Sequence, residues 1–96
     1  MLSEPMTLYK LMNLYMLKKV NFPLTNAQLT DFFLQHEYAS YFTLQQALGE
    51  LKDSGLIHAE STHSTTRYEI TKEGEETIHF FASSISPAII EDMDPY

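Results

Sequence analysis

A mainly α-helical fold carrying a small β wing is what this sequence predicts, and three observations predict it. A helical pattern over residues 41–54 stops at Gly55. Two short alternating stretches follow, residues 57–60 and 67–70, separated by the wholly polar segment 61–66. Thr71 and the glutamates Glu73, Glu75 and Glu76 then suit the start of a further helix, whose dipole favours negative charge there. With two helical stretches ahead of it, this order is that of a winged helix-turn-helix: a three-helix core, a two-stranded wing and a C-terminal helix.

The first helix is expected from Pro5 or Met6 to Val20, since proline fits the first turn, where its missing N–H is not needed. Leu8, Leu11, Met12 and Tyr15 share one side at helical spacing, yet Tyr9, Leu14, Met16, Leu17 and Val20 cover most of the rest. A helix apolar all round is buried on more than one side, which argues for a homodimer. Residues 22–24 read as a connector. Thr25 and Gln28 form a capping box that opens the second helix, with Leu24 and Leu29 placed as a hydrophobic staple. Leu29, Phe32 and Phe33 supply its buried face, and it fades near His36.

The third helix begins near Ser40 or Thr43, both good caps. Leu44, Ala47, Leu48 and Leu51 form its buried face, and Gly55 ends it as a left-handed residue. In the strands, Ile57, Ala59, Tyr68 and Ile70 face inward by period-two alternation. The loop 61–66 is long for a tight hairpin. In the fourth helix Gly74 lets the backbone pass close to the sheet, Ile78, Phe81 and Ile85 face inward, and Phe80 points elsewhere. Ser86 and Pro87 start a short helix whose Ile89, Ile90 and Met93 need something to pack on, plausibly a second subunit. The organisation is thus a domain over residues 1–85 and a short helical, acidic segment over 86–96.

One small core fits 96 residues. No cysteine is present, which removes disulfides and thiol chemistry and fits a reducing compartment. No basic cluster precedes an apolar stretch at the N-terminus, and the apolar run over residues 8–20 is shorter than the roughly 20 residues of a bilayer span. A cytoplasmic protein with no membrane partner is expected. The net charge of −7 is unevenly spread. Residues 1–72 hold all six basic residues against seven acids, whereas 73–96 hold six acids and no lysine or arginine. The domain is therefore near neutral, which limits the counterion release that drives nonspecific DNA binding.

The run Gly55-Leu56-Ile57, a polar wing, then Tyr68-Glu69-Ile70-Thr71 and Gly74 resembles winged-helix regulators of the PadR and MarR type. That resemblance implies DNA binding as a dimer, often under control of an effector ligand. A wider likeness covers almost the whole chain. Residues 8–11 (Leu-Tyr-Lys-Leu), 21–26 (Asn-Phe-Pro-Leu-Thr-Asn), 41–47 (Tyr-Phe-Thr-Leu-Gln-Gln-Ala) and 85–88 (Ile-Ser-Pro-Ala) are similar to an uncharacterised bacterial winged-helix family, a domain of unknown function. Its members are described at most as transcriptional regulators and typically carry a further C-terminal region that this sequence does not include.

In winged helices the third helix enters the major groove and the wing touches the backbone or minor groove. The likeness places Thr43, Gln45 and Gln46 at the exposed start of that helix. Glutamine can pair twice with adenine, and threonine can meet a phosphate or a thymine methyl. Lys18, Lys19, Lys52, His63 and Arg67 are the candidate phosphate contacts on double-stranded DNA, and Glu50 would face it unfavourably. Tyr9, Met16, Phe80, Ile89, Ile90 and Met93 are the candidate dimer contacts. His58, Glu60 and His63 could share a metal, but no third strong ligand is nearby, and neither metal nor cofactor is expected. No nucleophile elbow, phosphate loop or spaced carboxylate pair appears, so an enzyme is not expected. A transcriptional regulator is the first reading, and a winged helix that binds a protein partner instead of DNA is the second.

Overall fold

The computed structural model describes residues 4–96. Residues 1–3, assigned above to the first domain, lie outside the described residues. The elements run α1 (Glu4–Val20), β1 (Leu24–Thr25), α2 (Asn26–Gln35), α3 (Tyr41–Asp53), β2 (Ile57–Ser61), β3 (Thr66–Ile70), α4 (Lys72–Phe81), a 3-10 turn (Ala82–Ser84) and α5 (Pro87–Met93). The protein is mainly helical with one small antiparallel sheet, an arrangement compatible with a winged helix. No described helix is long and apolar enough to cross a membrane.

Local chemistry explains most boundaries. Thr25 accepts from the Gln28 N–H, and the Gln28 side chain accepts from the Thr25 N–H, so the capping box forms. Ser40, rather than Thr43, caps α3. Gly55 takes a φ of 77°, and its N–H closes on the Lys52 carbonyl. Thr71 caps α4 and Ser86 caps α5 ahead of Pro87.

The sheet has three strands in the order β1-β3-β2, not the expected two. Leu24 and Thr25 pair with Tyr68 and Arg67. Two residues are too few to show alternation, so they read as connector. The wing is also tighter than its sequence indicated. Ser61 and Thr66 are already paired, and the turn between them closes through the Thr62 N–H on the Thr65 carbonyl at 2.8 Å.

The core gathers Leu11, Met12, Leu14, Met16 and Leu17 of α1, Leu29, Phe32 and Phe33 of α2, and Leu44, Leu48 and Leu51 of α3. Leu24, Ile57, Tyr68, Ile78, Ile85 and Met93 complete it. The all-apolar character of α1 therefore does not require a second subunit. Helices α3 and α4, the sheet and the returning C-terminal segment cover it within one chain. Asn13, buried in the same helix, donates to the Tyr9 carbonyl at 2.8 Å.

Helix α5 likewise packs on its own chain. Met93 is fully buried, and Ile89 and Ile90 lie half-buried against the core. Tyr38 donates its hydroxyl to Asp92, whose carboxylate also lies 3.6 Å from His36 Nδ1, and Tyr15 donates to Asp94 at 3.0 Å. The Tyr96 ring meets Phe32 edge-on at 5.1 Å. Phe81 departs from its expected inward place and is 52% exposed, because α4 ends there and a 3-10 turn redirects the chain before Ile85 is buried.

Burial and then the bond to Asp92 push the Tyr38 hydroxyl from 10.0 up to about 12. The fold thus favours the neutral phenol. Its contribution is complete below pH 10 and is lost as pH rises through about 12. Chemical denaturation across that range should show stability falling with pH, and Tyr38→Phe should flatten the fall. An unchanged slope in the variant would show that this phenol is not linked to folding.

Candidate nucleic-acid interface

The capping box starts α2 and Ser40 starts α3, so both helices begin at fixed points beside the wing. Between them runs a groove of about 460 Å³ lined by Thr25, Asn26, Thr30, Asp31, Tyr41 and wing residues 64–66. Its walls mix hydroxyls, the Asn26 amide and the Asp31 carboxylate with apolar surface that includes Ala27 and the Tyr41 ring. No group of three or more histidine, aspartate or glutamate side chains placed to hold a metal ion occurs among the described residues.

The three residues expected to read bases are largely engaged elsewhere. Gln45 is half-buried, not free. Its Nε2 donates to Asn26 Oδ1 at 3.0 Å, and its Oε1 accepts from Asn26 Nδ2 at 2.8 Å. Asn26 Nδ2 also donates to the Tyr68 hydroxyl, and Thr30 donates to Asn26 Oδ1. Gln45 therefore ties α3 to α2 and β3, and freeing it for a base would leave half-buried amides unpaired. Gln46 donates to Glu50 at 3.0 Å. Thr43 accepts from the Ser40 hydroxyl at 3.0 Å while its N–H donates back to the same oxygen. Glu50 also receives Lys10 of α1, and that bond holds its carboxyl below the usual glutamate range. Its charge is thus partly answered within the fold.

The candidate cations are dispersed. His63 and Arg67 are exposed on the wing, where Arg67 lies opposite Glu60. Lys52 is exposed in the last turn of α3, next to Asp53. Lys18 and Lys19, in the last turn of α1, line a separate cavity of about 370 Å³ with Tyr15, Ile78, His79 and Ala82, and this cavity shares no residue with the α2–α3–wing groove. His58 and Glu60 do share the outer face of β2, opposite Glu69 and Arg67.

Of the expected dimer contacts, Met16 and Met93 are buried inside the single chain and cannot meet a partner as placed. Tyr9 is half-buried with its ring 6.1 Å from Phe33, edge to face. Phe80 alone of that set stands clear, 77% exposed.

Two residues passed over in the sequence are prominent at this site. Tyr41 and Phe42 open α3, their rings 5.8 Å apart edge to face, 48% and 82% exposed. Their placement has a signal. Phe42 lies two residues, about 200° around the helix, from Leu44 on the buried face.

The family model described as Domain of unknown function (DUF4364) matches residues 9–96, and the chain belongs to that family. No curated protein and no solved structure matches it.

Proposed function

We propose that this member of the DUF4364 family is a winged-helix protein of the PadR and MarR kind that binds double-stranded DNA and acts in transcriptional regulation. The observation that supports the reading is the α2–α3–wing groove, which sets the start of α3 and the tip of an antiparallel hairpin on one surface. Side chains from two such elements can meet a duplex together, the helix in the major groove and the wing on the adjoining backbone.

With few cations on that surface, affinity is expected to be modest and best seen at low salt. Arg67→Ala should weaken binding to every duplex and lower the salt slope by about one unit, as loss of one phosphate contact does. Anisotropy titrations of labelled duplex against salt measure this directly. An unchanged slope would take Arg67 off the backbone.

A homodimer remains part of the proposal, with its contact narrowed from α1 and the C-terminal segment to the exposed Phe80, with Phe81 beside it. Sedimentation that finds only monomer at micromolar concentration would remove it. The second reading, a module for a protein partner, is favoured by the acidic C-terminal quarter. It takes the first reading's place if no duplex is retarded even at low salt.

A further inference from the structure

We infer that Phe42, supported by Tyr41, is the specificity-determining residue at the tip of α3, and that it recognises the C5-methyl groups of thymine in the major groove. The inference rests on the DNA-binding reading and says how that surface would distinguish sequences.

A base edge is read either by hydrogen bonds or by apolar contact. The first route is narrowed at this tip. Gln45 exchanges both its amide bonds with Asn26, Gln46 is turned to Glu50, and Thr43 is held by Ser40. Gln45 could read a base only by giving up a bond the fold already makes, while Gln46 keeps its Oε1 and one N–H and Thr43 its hydroxyl proton beside a bond already made.

The apolar route is open. Phe42 is the most exposed of the large apolar side chains described, at 82%, and it points away from the Leu44, Ala47, Leu48 and Leu51 face. Its ring rests against Tyr41, which reaches the wing groove beside residues 64–66. The phenol therefore braces the aromatic tip on the wing side.

The surroundings favour a base over a protein surface. Farther along the same side of α3, Gln46, Gly49 and Asp53 are exposed and polar or lack a side chain. The two adjoining rings of Phe42 and Tyr41 on an otherwise polar face are a smaller apolar patch than a protein contact of ordinary size needs. It does match a single methyl, the group that separates thymine from every other base in the major groove. Apolar contact also needs no cation, which agrees with a near-neutral surface.

The test compares thymine with uracil. Duplexes selected by the wild-type protein from a randomised pool are remade with deoxyuridine in place of thymidine, which removes only the methyl groups. Wild-type protein should bind the uracil duplex about fourfold more weakly for each methyl it covers. Phe42→Ala should bind both duplexes equally, with an unchanged melting temperature because the side chain is exposed. Phe42→Leu should keep part of the preference.

If wild type binds selected duplexes but ignores the loss of methyls, or if Phe42→Ala still prefers thymine, the inference is overturned and the DNA-binding reading stands. If wild type selects no duplex at low salt, the reading itself fails and the inference falls with it.

Discussion

Replacing Gly74 with alanine should destabilise the protein by about 3 kcal/mol or more, the upper range for forcing an extra carbon into a packed site. For a domain of this size that lowers the melting temperature by at least about 12 °C. The new Cβ would lie 2.1 Å from the Leu56 carbonyl oxygen and 2.7 Å from Ile70 Cγ1. The Ile70 side chain could shift, but the carbonyl is backbone and is tied in place. It accepts the Thr71 N–H at 3.2 Å, while the Thr71 hydroxyl donates to the Gly55 carbonyl and caps the Gly74 N–H. The start of α4 is thereby locked to the turn between α3 and β2. Gly49→Ala is the matched control, because a Cβ there meets nothing within 4 Å. That variant should gain up to about 1 kcal/mol from helix propensity. Thermal melts of the pair decide the matter. A Gly74→Ala protein melting within a few degrees of wild type would show that the close approach is not real.

Phe32→Ala should cost about 3–5 kcal/mol, the usual range for emptying a buried phenylalanine site. The ring is fully buried and joins two parts of the molecule. It meets Phe33 at 5.6 Å on the core side and His36, Tyr38 and Tyr96 toward the C-terminus. Its loss should therefore loosen α5 as well as lower global stability. Hydrogen exchange should show the amides of α5 opening more readily than those of α3, beyond the shared global change. Equal acceleration in both helices would separate α5 from the Phe32 cluster.

The legible features were those written in a few neighbouring residues. Thr25 with Gln28, Ser86 with Pro87, and Gly55 after a helical run each carry their reason locally, and each formed. Gly74 was legible because a glycine in an acidic helical turn has little other use. What was not legible depends on residues far apart in the chain. The cover over α1 comes partly from a segment that returns some seventy residues later, so α1 read as a helix in need of a partner. Gln45 looked free because its partner Asn26 is reached only through the α2–α3 crossing. The β1 strand exists only because β3 lies beside it. The candidate site was legible as a region, the start of α3 and the wing, but not as a set of side chains.

The pairing of β1 with β3 also decides when the wing loses its freedom. A hairpin joined to its domain only at its base would stop moving on meeting a ligand, and the ordering would count against association. Here Leu24 and Thr25, at the threshold of α2, are hydrogen-bonded beside Tyr68 and Arg67. The base of the hairpin, at Arg67 and Tyr68, is therefore fixed to the helix start at folding. On the proposed DNA-binding reading, association should then carry little entropic penalty from the base of the hairpin, and a substitution that unpins β1 should weaken binding without touching any group that makes contact.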